Sequence, residues 1–410
     1  MTAKTLCMLS VLTFATGVAA RPQAGEAGEA AEPPPDLAFG EEITVGLSTI
    51  VVRVVDRHGE PVTGLAAVDF QVRVDKAEVP VVAADWVSTD GADGVDLESI
   101  TSLDDIVAQA PPEAAPRWVV FFVQTDFNGV RRRGHRNVLE HVRRLPRTLP
   151  PRDWAAVVFF GSHLELWQDF TRERTPIEEA LGRSIRFGGE RARRPGEERW
   201  PSLARHFDFD AALAATSPER GLELTARALK PFPGQKLLIY VGWGLGSYEG
   251  RAGVRMTPEY DPAVEALVDA DISVFVLDAS YADVHSLEIG LQQIADDTGG
   301  MYFRGFRFPE SASQRLTRSI SGYYLLTLDR DRLPSEAGKL RVDLLRDSSG
   351  WQVHVRARYR PPVAGDTPDP SPRPVINGLC NLRDLSSASK TRELEDSGPL
   401  SRCGRGLGIG

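Results

Sequence analysis

"KLLIYVGWGLGSYEG", residues 236–250, is the stretch whose reading decides the fold. Leu237 to Val241 is a short apolar run that breaks directly into a loop with glycine at 242, 244 and 246. A continuous apolar run of that length fits a strand buried on both faces, as in a parallel sheet. In such a sheet, ligands bind beyond the carboxyl ends of the strands. The loop is therefore the first place to look for a site.

Working outward, "RWVVFFVQ" (117–124), "WAAVVFF" (154–160) and "ISVFVLDA" (272–279) repeat the buried-strand pattern. Helical stretches separate them. Residues 129–145 put Val138, Leu139, Val142 and Leu145 on one face, and "PIEEALGRSI" opens with proline in its first turn. "FDAALAATSPERGLELTARALK" is helical with an interruption at Ser217-Pro218, and "SLEIGLQQIADDTGG" is a helix ended by glycine. This alternation predicts an α/β, doubly wound, mostly parallel sheet covered on both faces. "HLELWQDF" (163–170) alternates and follows "WAAVVFF" after a two-residue link, which requires a hairpin and an antiparallel strand. The predicted strand order is 3-2-1-4-5-6, counted within this sheet. Residues 187–206 are rich in Arg, Gly and Pro and read as an exposed excursion.

The flanks have a different character. Residues 43–88 and 321–360 are β-only, with "DFQVRVD", "GYYLLTLDR" and "WQVHVRARY" between turn signals. Neither segment is large enough to bury a core alone. They are expected to pair into a small β-sandwich, with the α/β region 117–320 inserted between them. Residues 89–116 read as a polar connection.

The first 20 residues read as an export signal: Lys4, an apolar core from Leu6 to Val18, and small residues at Val18-Ala19-Ala20. Residues 21–42 read as an acidic flexible linker, and residues 361–410 as a disordered tail. The expected location is periplasmic or extracellular, with no membrane span. Beyond the signal, the cysteines are Cys380 and Cys403, either a disulfide or two unpaired thiols in the tail. A zinc cluster of cysteines is excluded on ligand count. The net charge of -9 argues against a general nucleic-acid binder. Its arginine clusters at 131–136 and 183–205 read as local features of an acidic chain.

"VVDRHGEPVTGLAAVDFQV", "LWQDFT", "TGGMYFR" and "GYYLLTL", in that order between Ile43 and Tyr359, resemble secreted bacterial VWFA-related domain proteins, which carry a von Willebrand factor type A (VWA) fold. The resemblance implies an open doubly wound sheet whose upper edge commonly holds a metal-ion-dependent adhesion site. That site uses Asp-x-Ser-x-Ser after the first strand, a Thr in a later loop and an Asp after the fourth strand. Such hydroxyls and carboxylates are hard oxygen ligands suited to Mg²⁺.

This chain departs from the pattern. After the first strand it reads "VQTDFNGV", so Gln124, Asp126 and Asn128 stand where Asp, Ser and Ser are needed. Thr216 is the nearest candidate for the loop Thr, and the Asp after the fourth strand falls at Gly242 or Trp243. The expectation is a degenerate edge with no metal and no cofactor. Nucleotide binding fits no better: the glycines recur every second residue, a non-helical stretch follows, and no Gly-Lys-Ser/Thr is present.

Catalytic motifs are missing too. The 7 His form no His-Glu-x-x-His, and no Gly-x-Ser-x-Gly occurs. His163 reads as solvated, and the acids at 296 and 297 as solvent-facing. Asp208 and Asp210 read as helix caps. Asp278, ending a buried strand on the ligand side, reads as a turn or cap residue.

Trp243 is either a plug for the vacated ion pocket or an aromatic contact for a partner. Gln124, Asp126, Asn128, Trp243 and Ser247 are the candidate ligand-binding residues. The function expected is a non-catalytic secreted binding or adhesion module that contacts a protein through its upper loops. The alternatives are a secreted hydrolase with an unrecognised site, or a VWA module retaining weak Mg²⁺ binding.

Overall fold

A computed structural model of the chain describes residues 47–89, 117–125, 129–186, 201–282, 284–346 and 349–361. The expected signal, linker and tail lie outside these residues, as do most of the polar connection and positions 187–200 of the excursion.

The strands in chain order are β1 (Leu47–Val55), β2 (Phe70–Val74), β3 (Ala77–Val79), β4 (Val81–Ser88), β5 (Trp118–Gln124), β6 (Trp154–Phe160), β7 (Leu164–Thr171) and β8 (Lys236–Gly242). They continue with β9 (Ser247–Tyr248), β10 (Val254–Arg255), β11 (Ile272–Asp278) and β12 (Met301–Arg304). The last four are β13 (Gly322–Asp329), β14 (Gly338–Leu344), β15 (Gln352–His354) and β16 (Arg358–Tyr359). The helices are α1 (Gly129–Val142), α2 (Arg174–Arg186), α3 (Phe209–Leu213), α4 (Pro218–Leu229), α5 (Tyr260–Asp269), α6 (Glu288–Asp297) and α7 (Pro309–Ser319).

A mixed six-stranded sheet runs β12-β11-β8-β5-β6-β7. All neighbours are parallel except β6 and β7, which pair antiparallel. Numbered within the sheet, this is the order 3-2-1-4-5-6. Strands β5 and β8 are buried along their whole length, because side chains on both faces meet helices. One face packs Val119, Phe121 and Val123 with Leu139, Val142 and Leu181, and the other packs Val120 and Phe122 with Leu222 and Leu267. The interruption at Ser217-Pro218 separates α3 from α4, with the Ser217 hydroxyl accepting from the Arg220 amide at 3.2 Å. Asp208 caps α3 in the same way.

The flanking strands form two four-stranded antiparallel sheets, β15-β1-β13-β4 and β16-β14-β2-β3. Strand β1 lies against β13, with Ile50 opposite Leu326, and β2 lies against β14, with Val72 opposite Val342. Each pair joins the two ends of the described chain. Ile50, Val52, Val72, Tyr324, Leu326 and Leu340 share one buried cluster.

One buried cation ties these strands to the six-stranded sheet, and a second ties the start of β5 to the residue after α7. Arg53 on β1 reaches Ser273 Oγ at 3.1 Å and lies over the Phe275 ring. Arg117 donates to both Asp153 oxygens and, at 2.6 Å, to the Ile320 carbonyl.

One expectation needs correction. The end of the 187–206 excursion is not exposed: Ser202, Leu203 and Ala204 are buried. Asp169 on β7 explains this, accepting from Ser202 Oγ at 2.5 Å and from the Leu203 amide at 2.6 Å. A carboxylate that satisfies backbone donors lets a polar turn enter the core. No helix among the described residues is long and apolar enough to cross a membrane.

Candidate functional site at the carboxyl edge of the sheet

Strands β5 and β8 end side by side, so the loops after them share one edge. Gln124, the last residue of β5, is buried. Its Oε1 accepts from the Tyr240 hydroxyl at 2.8 Å and from the Trp243 amide at 3.0 Å. Its Nε2 donates to the Gly244 carbonyl at 3.1 Å. Both ends of the side-chain amide are thus spent on the Gly-rich loop. Burial and the nearby charge of Glu219 push the Tyr240 hydroxyl well above its ordinary pKa, so it remains a donor.

The glycines are there for close approach. A Cβ on Gly242 would stand 2.4 Å from Gln124 Oε1, and one on Gly244 would stand 2.6 Å from Leu287 Cβ. Gly246 has φ of 81°, a left-handed conformation in which glycine is unstrained. Its amide donates at 2.7 Å to Glu219, a buried carboxylate at the start of α4 whose pKa is raised by burial.

The VWA ion would need a carboxylate after β8, and position 242 has no room for one. Gly242 cannot carry a side chain while Gln124 keeps its place. The donor set facing the loop from β5 and β8 is an amide and a phenol rather than two carboxylates, a poor match for Mg²⁺. Among the described residues of β5 and β8, the donors do not fit the ion.

Of the candidate residues, Gln124 and Trp243 meet, through the Trp243 backbone. Asp126 and Asn128 lie outside the described residues. Ser247 is exposed on β9, opposite Arg255 of β10 in a two-stranded pair. Thr216 is exposed just before the Ser217 cap. The Trp243 indole is half-buried, with the Arg131 guanidinium 3.5 Å from its ring centroid. It is neither a fully buried plug nor an open aromatic face.

One strand over, Asp278 ends β11 opposite Gly242 in register. It does form the expected turn, with Oδ1 accepting from the Ser280 amide at 2.8 Å. Its Oδ2 also meets His285 Nε2 at 2.8 Å and accepts from the Tyr302 hydroxyl at 2.6 Å. Glu288, at the start of α6, lies 3.4 Å from the same hydroxyl and accepts from Arg304 at 3.2 Å. Elsewhere, Asp297 departs from its solvent-facing expectation, because the Tyr260 hydroxyl donates to it at 2.9 Å.

Sequence reasoning missed Glu219, Tyr240, His285, Glu288 and Tyr302. Tyr240 carried a faint signal, a phenol inside an otherwise apolar strand. The others meet only through the fold.

No family model and no curated protein matches this chain. Among solved structures, it is similar to a von Willebrand factor type A protein from Catenulispora acidiphila, at 12% identity and a TM-score of 0.35, over 78% of this chain and 74% of that one. It is similar to the conserved hypothetical protein BatB from Bacteroides thetaiotaomicron at 17% identity and a TM-score of 0.34, over 50% and 97%. It is also similar to the human COPII-coat protein Sec24c at 12% identity and a TM-score of 0.36, where 60% of this chain spans 44% of that one.

Proposed function

We propose that this chain is a VWA-like, non-catalytic module that acts outside the cytoplasm and binds a protein partner through the loops at the carboxyl edge of its parallel sheet, without Mg²⁺ at the β5–β8 edge. In this reading the flanking sheets are a small β-sandwich that carries the inserted α/β unit. The observation that carries the proposal is the Gln124 side chain, hydrogen-bonded into the Gly-rich loop where an ion-binding edge would need acids. The exposed apolar residues support the same face. Tyr248, Tyr281, Val284, Ile289 and Phe308 all follow carboxyl ends of β8, β11 or β12, and all are exposed. Grouped apolar exposure at strand-end loops marks an interaction surface better than scattered single residues do.

Capture from envelope extract on the immobilised mature protein tests this. A partner should be retained equally in EDTA and in Mg²⁺, lost when Tyr281 and Val284 are both changed to Ser, and kept by Val82→Ser on the flanking sheet. Equal capture by the Tyr281/Val284 variant, or capture that requires Mg²⁺, would count against it.

A further inference from the structure

The structure assigns a transition-metal site to Asp278, His285 and Glu288, at the carboxyl edge of β11 and separate from the β5–β8 edge. One carboxylate oxygen from each acid and one imidazole nitrogen lie within 4.8 Å of one another. Asp278 is placed by the end of a buried parallel strand, and Glu288 by the first turn of α6. His285 is fixed between them, its carbonyl accepting from the Glu288 amide at 3.2 Å.

One of the separations already suits a first-row dication, and the third ligand lies within 4.8 Å. Donors bound at about 2.0–2.1 Å stand about 2.9–3.4 Å apart across octahedral to tetrahedral angles. His285 Nε2 and Asp278 Oδ2 are already 2.8 Å apart, so they can share an ion after little movement. A bound ion would take the place of the proton that now joins them.

The surrounding groups orient the ligands. The Ser280 amide holds Asp278 Oδ1, and the Tyr302 hydroxyl holds Oδ2. Arg304 occupies Glu288 Oε1 and leaves Oε2 toward the cluster. Outer contacts of this kind fix ligating carboxylates and are a regular part of metal sites.

The ligand chemistry selects the ion. An imidazole with two carboxylates suits Zn²⁺, and with it Co²⁺ or Mn²⁺, while Mg²⁺ prefers all-oxygen sites. Three protein ligands also leave a coordination position open, as in zinc sites that take water or an outside group. Tyr281, Val284 and Ile289, close to the three ligands in the chain, are all exposed.

Titration of the metal-free, untagged mature protein with Zn²⁺ and Co²⁺ tests the assignment. Calorimetry should show one equivalent bound, and Co²⁺ should give a visible absorption band that Zn²⁺ removes. Tyr302→Phe should weaken binding by about 10–100-fold, as losing an outer contact does, and His285→Ala or Glu288→Gln by more. Asp85→Asn, exposed on β4 of the flanking strands, should leave binding unchanged. Asp278 is deeply buried, so the two more accessible ligands carry the test, with circular dichroism confirming that each variant is folded. Absence of stoichiometric Co²⁺ or Zn²⁺ binding in the wild type would overturn the assignment. So would binding that survives both His285→Ala and Glu288→Gln.

Discussion

Gln124 Oε1 accepts the Trp243 amide at 3.0 Å, joining the end of β5 to the first loop residue after β8. The same oxygen accepts the Tyr240 hydroxyl, and Nε2 holds the Gly244 carbonyl. A side chain that makes one contact with β8 and two with the loop after it does structurally what an ion and its carboxylates would do there.

Gln124→Ala should therefore lower stability. The Tyr240 hydroxyl and the Trp243 amide would both lose their acceptor in a buried setting, at a cost of about 1–3 kcal/mol for each group left unsatisfied. Urea denaturation should show a lower midpoint with an unchanged slope. Wild-type stability in this variant would mean that the loop does not depend on the amide.

Trp243→Ala should cost less than removal of a fully buried ring, for which about 3–5 kcal/mol is usual. The indole is only half-buried, and so is its Arg131 partner. A loss of about 1–2 kcal/mol is expected, part of it the cation–π contact. A loss at the full buried-ring value would restore the plug reading.

How much of this was legible in the sequence follows from what each feature depends on. The buried strands and the antiparallel β7 are written in local periodicity, because "RWVVFFVQ" has no polar face and "HLELWQDF" alternates. The absent carboxylate at Gly242 was equally plain. What replaced it was not, since Gln124 and Trp243 are far apart in the chain and meet only across a β5–β8 pairing. The Asp278–His285–Glu288 cluster was hidden although its members are close in the chain. Its spacing matches no metal motif, and it closes only when α6 returns to the end of β11. Asp169 shows the converse error. Composition marked residues 201–204 as exposed, yet one carboxylate on a neighbouring strand draws them inside.

The Arg117–Asp153 pair should be a strong determinant of stability, because both side chains are almost fully buried. Breaking such a pair leaves an uncompensated buried charge and costs about 3–5 kcal/mol. Asp153→Ala should show that loss in thermal and chemical unfolding. A change under about 1 kcal/mol would mean water reaches Arg117.

Stability should also fall in mild acid. Burial lowers the His135 imidazole to about 4 from an ordinary 6.5, and neither ring nitrogen has a partner among the described residues. As pH falls, the unfolded chain takes up this proton first. The stability gained from keeping His135 neutral is full above about pH 6.5 and is lost between there and about pH 4. His354, lowered to about 4 by burial and by the charge of Arg53, adds to the same window. His135→Leu should flatten the fall in melting temperature between pH 6.5 and 4. An identical pH profile in that variant would show that His135 does not titrate with unfolding.

The central claim is that the β5–β8 edge is closed by Gln124 and holds no Mg²⁺. A ligand that binds only the native state raises the melting temperature in proportion to the logarithm of its concentration above Kd. Melting curves of the wild type should therefore show no saturable rise as Mg²⁺ increases through the millimolar range. A saturable rise that survives His285→Ala and disappears in Asp126→Ala would place a working ion site at this edge and contradict the account.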